Sequence, residues 1–136
     1  MAEIDNIVGH IQDCAIAAGA KFAPDFPPEQ SAVYPFAVTW AARGSFMAQG
    51  AGYMKGLCTA ITQIHIARKD LARDVEKANV FFQAFPNEIW ADPTLGSHVS
   101  TVTDVRIVRF GAMAWGGIET IGYEFECDFK FEPALT

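Results

Sequence analysis

Tyr123, Phe125, Cys127, Phe129 and Phe131 alternate without a break with Glu124, Glu126, Asp128 and Lys130. A period of two sends successive side chains to opposite sides of an extended backbone, so this stretch predicts a strand with one buried apolar face and one wet, charged face. The strand runs from Ile118 to Phe131, and a strand of this kind needs hydrogen-bonded neighbours and a cover for its aromatic side. The segment from about Val99 to Phe110 alternates less perfectly and supplies one neighbour. Between the two, Gly111 to Gly117 predicts a longer hairpin loop with Met113 and Trp115 exposed at its centre.

Two further strands precede these. Val33 to Ala42 is rich in β-branched and aromatic residues, and Pro35, which lacks an amide donor, limits it to a strand start or an edge. In Leu57 to Ala67, Ala60, Thr62, Ile64 and Ile66 share one face while Thr59, Gln63 and His65 share the other. The cover comes from two amphipathic helices. Ile4, Ile7, Val8, Ile11, Ala15 and Ala18 recur at steps of three and four from residue 3 to 18, ending near Gly19. Leu71, Val75, Ala78 and Phe82 do the same from Leu71 to Phe85, with Asp70 at the N-cap position and Pro86 stopping or kinking the helix. Pro24, Pro27 and Pro28 leave residues 22–30 as an extended surface connector with no assigned role. The order helix, strand, strand, helix, strand, strand predicts one α+β domain over residues 1–136: a mainly antiparallel four-stranded sheet with two helices packed on one face.

Composition sets the limits of function. With 136 residues, 51% apolar and 19% charged, the chain can bury a real core and is not disordered. The longest nearly apolar run, Ala32 to Ala42, is far short of the ~20 residues of a spanning helix. The start, Met1-Ala2-Glu3-Ile4-Asp5, has no basic stretch ahead of an apolar one, so the expectation is synthesis in the cytoplasm without a secretory signal. Cys14, Cys58 and Cys127 are far apart and read as reduced core residues. A net charge of −6 argues against broad adhesion to nucleic-acid phosphates.

Catalytic signatures are not evident. His10, His65 and His98 lie at no metal-ligand spacing from one another or from a cysteine, and no phosphate-cradling glycine motif occurs, so neither metal nor cofactor is expected. Cys58 and His65 sit seven apart on one strand, too distant for a nucleophile–base pair. Glu124 with Glu126, and Glu126 with Asp128, lie side by side as paired carboxylates can in glycosidases, although a solvated strand face is the simpler reading. Arg43 to Gly56 mixes Gly44, Gly50, Gly52 and Gly56 with Phe46, Met47, Tyr53 and Met54. This reads as a loop that either docks on a partner or folds back on its own core. The run Arg68 to Lys77 is the densest charge cluster, with Arg73 three before Glu76 and Asp74 three before Lys77 placed for intrahelical pairs.

The order of features carries a resemblance. Tyr34-Pro35-Phe36 opens a strand and a glycine-rich loop follows, then Ile64-His65-Ile66-Ala67-Arg68, Asp70-Leu71 and Arg73-Asp74-Val75. Asp92-Pro93-Thr94-Leu95-Gly96 and Trp115-Gly116-Gly117-Ile118-Glu119-Thr120-Ile121-Gly122-Tyr123 come later. Together, over roughly residues 33 to 132, they resemble the tail terminator, or tail completion, proteins of long-tailed bacteriophages and phage-like particles such as gene transfer agents. The resemblance implies a non-enzymatic virion assembly protein at the neck end of the tail. It would form a homo-oligomeric ring, typically a hexamer, that caps the tail tube protein, ends tail polymerisation and meets the head-tail connector or stopper protein. DNA would pass through without specific binding, and no membrane is involved.

On this reading Phe46, Met47, Tyr53, Met54, Met113 and Trp115 are the candidate subunit or tube contacts. Arg68, Asp70 and Arg73 are candidates for fixing register by ion pairs across subunits. Glu124, Glu126 and Asp128 are the channel-lining candidates, repelling the phosphates of the passing genome. The alternatives are another phage neck or tail-tube subunit, or a small-ligand-binding α+β domain with a pocket between helices and sheet.

Overall fold

The computed structural model describes residues 3–48, 52 and 54–133. The last strand, β4 (Ile118–Phe131), pairs with β2 (Met54–Ala67) on one side and β3 (Thr101–Trp115) on the other, and β1 (Phe36–Ala48) pairs with the free side of β2. The sheet order is β1-β2-β4-β3 with every neighbour antiparallel. Two helices complete the domain, α1 (Glu3–Ala18) and α2 (Leu71–Ala91). This is the α+β class that the element order predicts.

Register shows which side chains share a face. Tyr123 stands opposite Ile64, Phe125 opposite Thr62, and Thr62 opposite Thr39. Phe125, Cys127 and Phe129 are buried, and so are Ile7, Ile11 and Ala15 of α1 and Ala78, Phe81, Phe85 and Ile89 of α2. Phe85 of α2 packs on Phe125 with ring centroids 4.8 Å apart, and the Tyr123 hydroxyl donates to Asn79 Oδ1 at 2.7 Å. On α1, Gln12 is the polar exception inside the core. Its Nε2 donates to the carbonyls of Pro24 and Ala37 while its Oε1 accepts from Thr39, so burial leaves none of its side-chain polar atoms unpaired.

Several boundaries differ from expectation, each for a local reason. Residues 43–48 and 54–56 are strand, not loop. A register shift between Ala41 and Arg43 inserts an extra residue and reverses the alternation, which hides the strand from a period-two reading. The glycines here are not hinges. A Cβ on Gly56 would come within 2.7 Å of the Phe46 ring, and one on Gly44 within 3.1 Å of it, so the two glycines form a slot in which that ring lies. β1 begins at Phe36, one residue past Pro35. β3 carries two such shifts, between Val102 and Asp104 and between Ile107 and Arg109, which accounts for its imperfect alternation.

The expected 111–117 loop is instead a strand end and a tight turn. Trp115 pairs with Ile118, and Gly116 and Gly117 take φ of 59° and 78°. Positive φ at both central residues is the two-residue hairpin turn that matches strand twist, and only glycine adopts it without strain. Helix α2 passes through Pro86 to Ala91. Proline in a helix interior costs about 3 kcal/mol, but Phe85 and Ile89 on either side of it are fully buried, and that packing keeps the axis helical. At the N-terminus of α2 the Asp70 side chain makes no capping bond; Asp74 Oδ2 turns back and accepts the amides of Lys69 and Asp70 at 2.8 and 3.1 Å. Asp74 is buried there, so the expected surface pair with Lys77 does not form, and Arg73 pairs with Asp70 rather than Glu76.

Residues 22–30 are also more than a connector. Phe22 stacks on Phe36 at 5.8 Å, and Trp115 Nε1 donates to the Pro28 carbonyl at 2.8 Å. A Cβ on Gly116 would fall 2.6 Å from the Glu29 carbonyl. The proline-rich segment thus straps one end of the sheet on the side opposite the helices.

Candidate functional site

The sheet face away from the helices has two halves. At the strapped end, Phe36, His65 and Trp115 form an aromatic cluster, with ring centroids 5.7 to 6.1 Å apart, and Trp40 stacks on Trp115 at 6.3 Å. His65 is fully buried between Thr120 Oγ1 on Nδ1 (2.6 Å) and Gln63 Oε1 on Nε2 (3.0 Å). Gln63 Oε1 can only accept, so Nε2 carries the hydrogen and Nδ1 accepts from the Thr120 hydroxyl. Burial, reinforced by the nearby Arg109 charge, pushes the imidazole pKa down to about 4, and the ring is neutral at pH 7.

Farther along the same strands lies the row of carboxylates. Arg106 reaches Asp104 (2.9 Å), Asp128 (2.6 Å) and Glu126; Arg43 reaches Glu126 from β1 at 2.8 Å; and Arg109 stands 3.6 Å from Glu124. Gln63 Nε2 donates to Glu124 and the Thr59 hydroxyl to Asp128. Hydrogen bonds from Arg43 and then Arg106 hold Glu126 below the usual carboxylate range. For Asp128, partial burial works in the opposite direction, but the bonds from Arg106 and Thr59 outweigh it and its pKa is lowered too. The three carboxylates of the row correct the expectation of a bare acidic face. Their side chains are only 13 to 31% exposed, and each has an arginine partner from another strand. Sequence reading missed these arginines because register shifts in β1 and β3 decide which face Arg43, Arg106 and Arg109 occupy.

The expected contact residues divide the same way. Phe46 and Met47 are 50% and 68% exposed at the end of the β1–β2 hairpin; Phe46 stands on the helix-facing side, while Met47 and an exposed Leu57 on the neighbouring strand share the other face. Phe46 meets Phe131 edge-on at 6.4 Å, so one side of its ring is used within the chain and the other is open. Met54 is half-buried and helps line a groove of about 500 Å³ with Ile4, Phe46 and Phe131. Tyr53 lies outside the described residues. Arg68, Asp70 and Arg73 are exposed, with Arg73 Nε 3.7 Å from Asp70. Met113 and Trp115, expected to be exposed, are not. Met113 is buried and Trp115 is half-buried in the aromatic cluster, which removes both from the open surface.

A second exposed apolar patch was not legible in the sequence. Phe82 of α2 and Phe110 of β3 flank the buried Tyr123 at 5.8 and 4.7 Å and are 55% and 40% exposed, and Val108 beside them is 46% exposed. Phe110 stands opposite Tyr123, and Tyr123 opposite Ile64, which faces Ala37 at the start of β1. Phe46, by contrast, faces Gly56 at the start of β2, opposite Phe131 at the end of β4. The two patches therefore occupy opposite edges and opposite ends of one sheet.

The chemistry of the remaining polar groups is quiet. Burial pushes the Cys14 thiol up to about 11 and the Cys127 thiol up to about 12, which keeps both protonated and unreactive. Cys58 and His65 point to opposite faces of β2 as well as lying far apart along it. Among the described residues no group of three or more His, Cys, Asp or Glu side chains converges as a metal site. No described helix is long and apolar enough to cross a membrane. In comparison with known proteins, the chain matches no family model and no curated sequence.

Proposed function

We propose that this chain is a structural ring subunit of the tail-terminator type, capping a tail tube and meeting a head-side connector. The observation that carries the reading is the pair of unlike apolar areas at diagonal corners of the sheet, one with Phe46 on the helix-facing side and Met47 and Leu57 on the other face, the second with Phe82, Val108 and Phe110. A closed ring is built from heterologous contacts, in which one surface of a subunit meets a different surface of its neighbour, and diagonal placement on a rigid sheet supplies two such surfaces. The two register shifts and the charged residues of β3 blunt its edge against simple strand-to-strand growth, which favours a finished ring over an open fibre.

The arginine–carboxylate lattice suits the wall of a DNA passage in a different way from bare acids. Its guanidinium groups are already held by Asp104, Glu124, Glu126 and Asp128, so phosphates sliding past this lattice meet no free guanidinium to grip. Met113 and Trp115 have no part in the contacts on this reading. Arg68, Asp70 and Arg73 remain available to pair across subunits.

The test is capping. Purified protein added to growing tail tubes should bind at one end and stop elongation, as seen by negative-stain microscopy, and Phe46→Glu should abolish it while leaving the monomer folded. Long cylinders formed by the protein itself would point to a tube subunit, and tubes whose growth and ends are unaffected would reject the reading.

A further inference from the structure

A cleft of about 780 Å³ opens where the segment just after α1, the end of β2 and the middle of α2 meet residues 32–35. Its apolar lining includes Phe81 and Ile66, which are buried, and Val33 and Val80, which are 48% and 57% exposed. Three lysines line it, Lys21 after α1, Lys69 in the β2–α2 connection and Lys77 on α2, and no carboxylate does. In a chain with sixteen acidic and ten basic side chains, this is a local reversal of charge. Among the described residues none of the three lysines makes an ion pair; of the acids close to them in sequence, Asp70 pairs with Arg73, Asp74 turns inward to backbone amides, and Glu76 is exposed beside Lys77 but does not line the cleft. Like charges from three separate segments around one concavity repel each other until an anion joins them.

From this we infer that the cleft is a docking site for an acidic peptide segment of a partner protein, one that places an apolar side chain against Val33, Val80 and Phe81 and carboxylates among Lys21, Lys69 and Lys77. The volume is in the range that holds a few side chains. An apolar floor between the lysines does not match a phosphate backbone, which needs a continuous basic surface, and the net charge of −6 opposes one. Lysine rather than arginine fits carboxylates approaching from several directions, because its ammonium is a point charge on a flexible stem. The inference does not depend on the ring reading.

The experiment is a selection of phage-displayed random heptapeptides on the whole protein, followed by fluorescence anisotropy of the enriched peptides. Enrichment of Asp and Glu around a Leu, Phe or Met is expected. The triple variant Lys21→Glu/Lys69→Glu/Lys77→Glu should weaken binding about 30-fold or more, since three rim charge pairs are lost. Val80→Ser should weaken it several-fold with the salt dependence unchanged. The lysines are exposed, so circular dichroism should match the wild type; if the triple variant fails to fold, Lys69→Gln and Lys77→Gln singly should each weaken binding about threefold. A selection that returns no binder, or peptides without acidic bias, or equal binding by the lysine variants overturns the inference. So does lysine-dependent binding confined to a 20-mer DNA or to phosphatidylglycerol vesicles.

Discussion

At the strapped end of the second sheet face a histidine is enclosed by aromatic rings and stays neutral; farther along the same strands, three arginines and four carboxylates hold one another near the surface. Both halves belong to β-strands whose other face is core. The difference lies in what covers them. Where residues 22–30 cross the sheet, polar groups are few and each finds a partner inside. Where nothing crosses, the face is kept wet and orderly by cross-strand charge pairs. One half is a small second core and the other is a solvated, charge-paired surface.

The comparison breaks most directly at Trp115, which links strap to sheet through the Pro28 carbonyl and the rings of Phe36, Trp40 and His65. Trp115→Ala should cost about 3 kcal/mol in urea denaturation, the range for removing a large packed aromatic. If Trp115 were instead a subunit contact, the monomer would keep its stability and lose only assembly.

Acid separates the halves by pH window. His65 has a folded pKa of about 4 against an ordinary 6.5, so the unfolded chain binds the extra proton first. The neutral-histidine contribution is complete above pH 6.5 and is lost as pH falls from 6.5 to about 4, on the order of 3 kcal/mol in all. Glu126 and Asp128 have lowered folded pKa values, so their contribution stands above their ordinary values of 4.5 and 3.8 and is lost only below them. Stability measured from pH 7.5 to 3 should fall in two steps, and His65→Gln should remove the first alone. A single step near pH 4 in the wild type would mean that the strapped end is open to water.

Smaller effects belong to the open half. Arg106 is 37% exposed and its partners are 13 to 51% exposed, so Arg106→Met should cost about 1 kcal/mol, less in 1 M salt. Arg73→Ala, at a pair exposed on both sides, should change stability by less than about 0.5 kcal/mol. A loss at Arg106 as large as that at Trp115 would make the lattice a structural core after all.

The sequence made the helix-facing half of the fold legible because period-two and period-3.6 patterns record one-sided burial directly. Tyr123 to Phe131 and Ile7 to Ala18 needed no tertiary information. The second face was harder to read, since its geometry depends on register. One extra residue at Ala42, and further shifts near Thr103 and Val108, decide which side Arg43, Arg106 and Arg109 take. Glycines misled where they make room rather than flexibility. Gly44 and Gly56 read as loop yet accommodate the Phe46 ring within a strand pair. Pro86 read as a helix end, although the buried Phe85 and Ile89 carry the helix past it. The role of residues 22–30 could not be seen at all, because a strap is defined by what it covers and Trp115 lies far away in sequence.

The account stands most directly on the mass of the purified protein in solution, read by native mass spectrometry and light scattering across concentration, alone and with tail tubes. The proposed role predicts one closed species of fixed copy number, six by the family resemblance, formed either free or on the tube end, and dispersed to monomer by Phe46→Glu. A strict monomer at every concentration that leaves tubes unbound would contradict it.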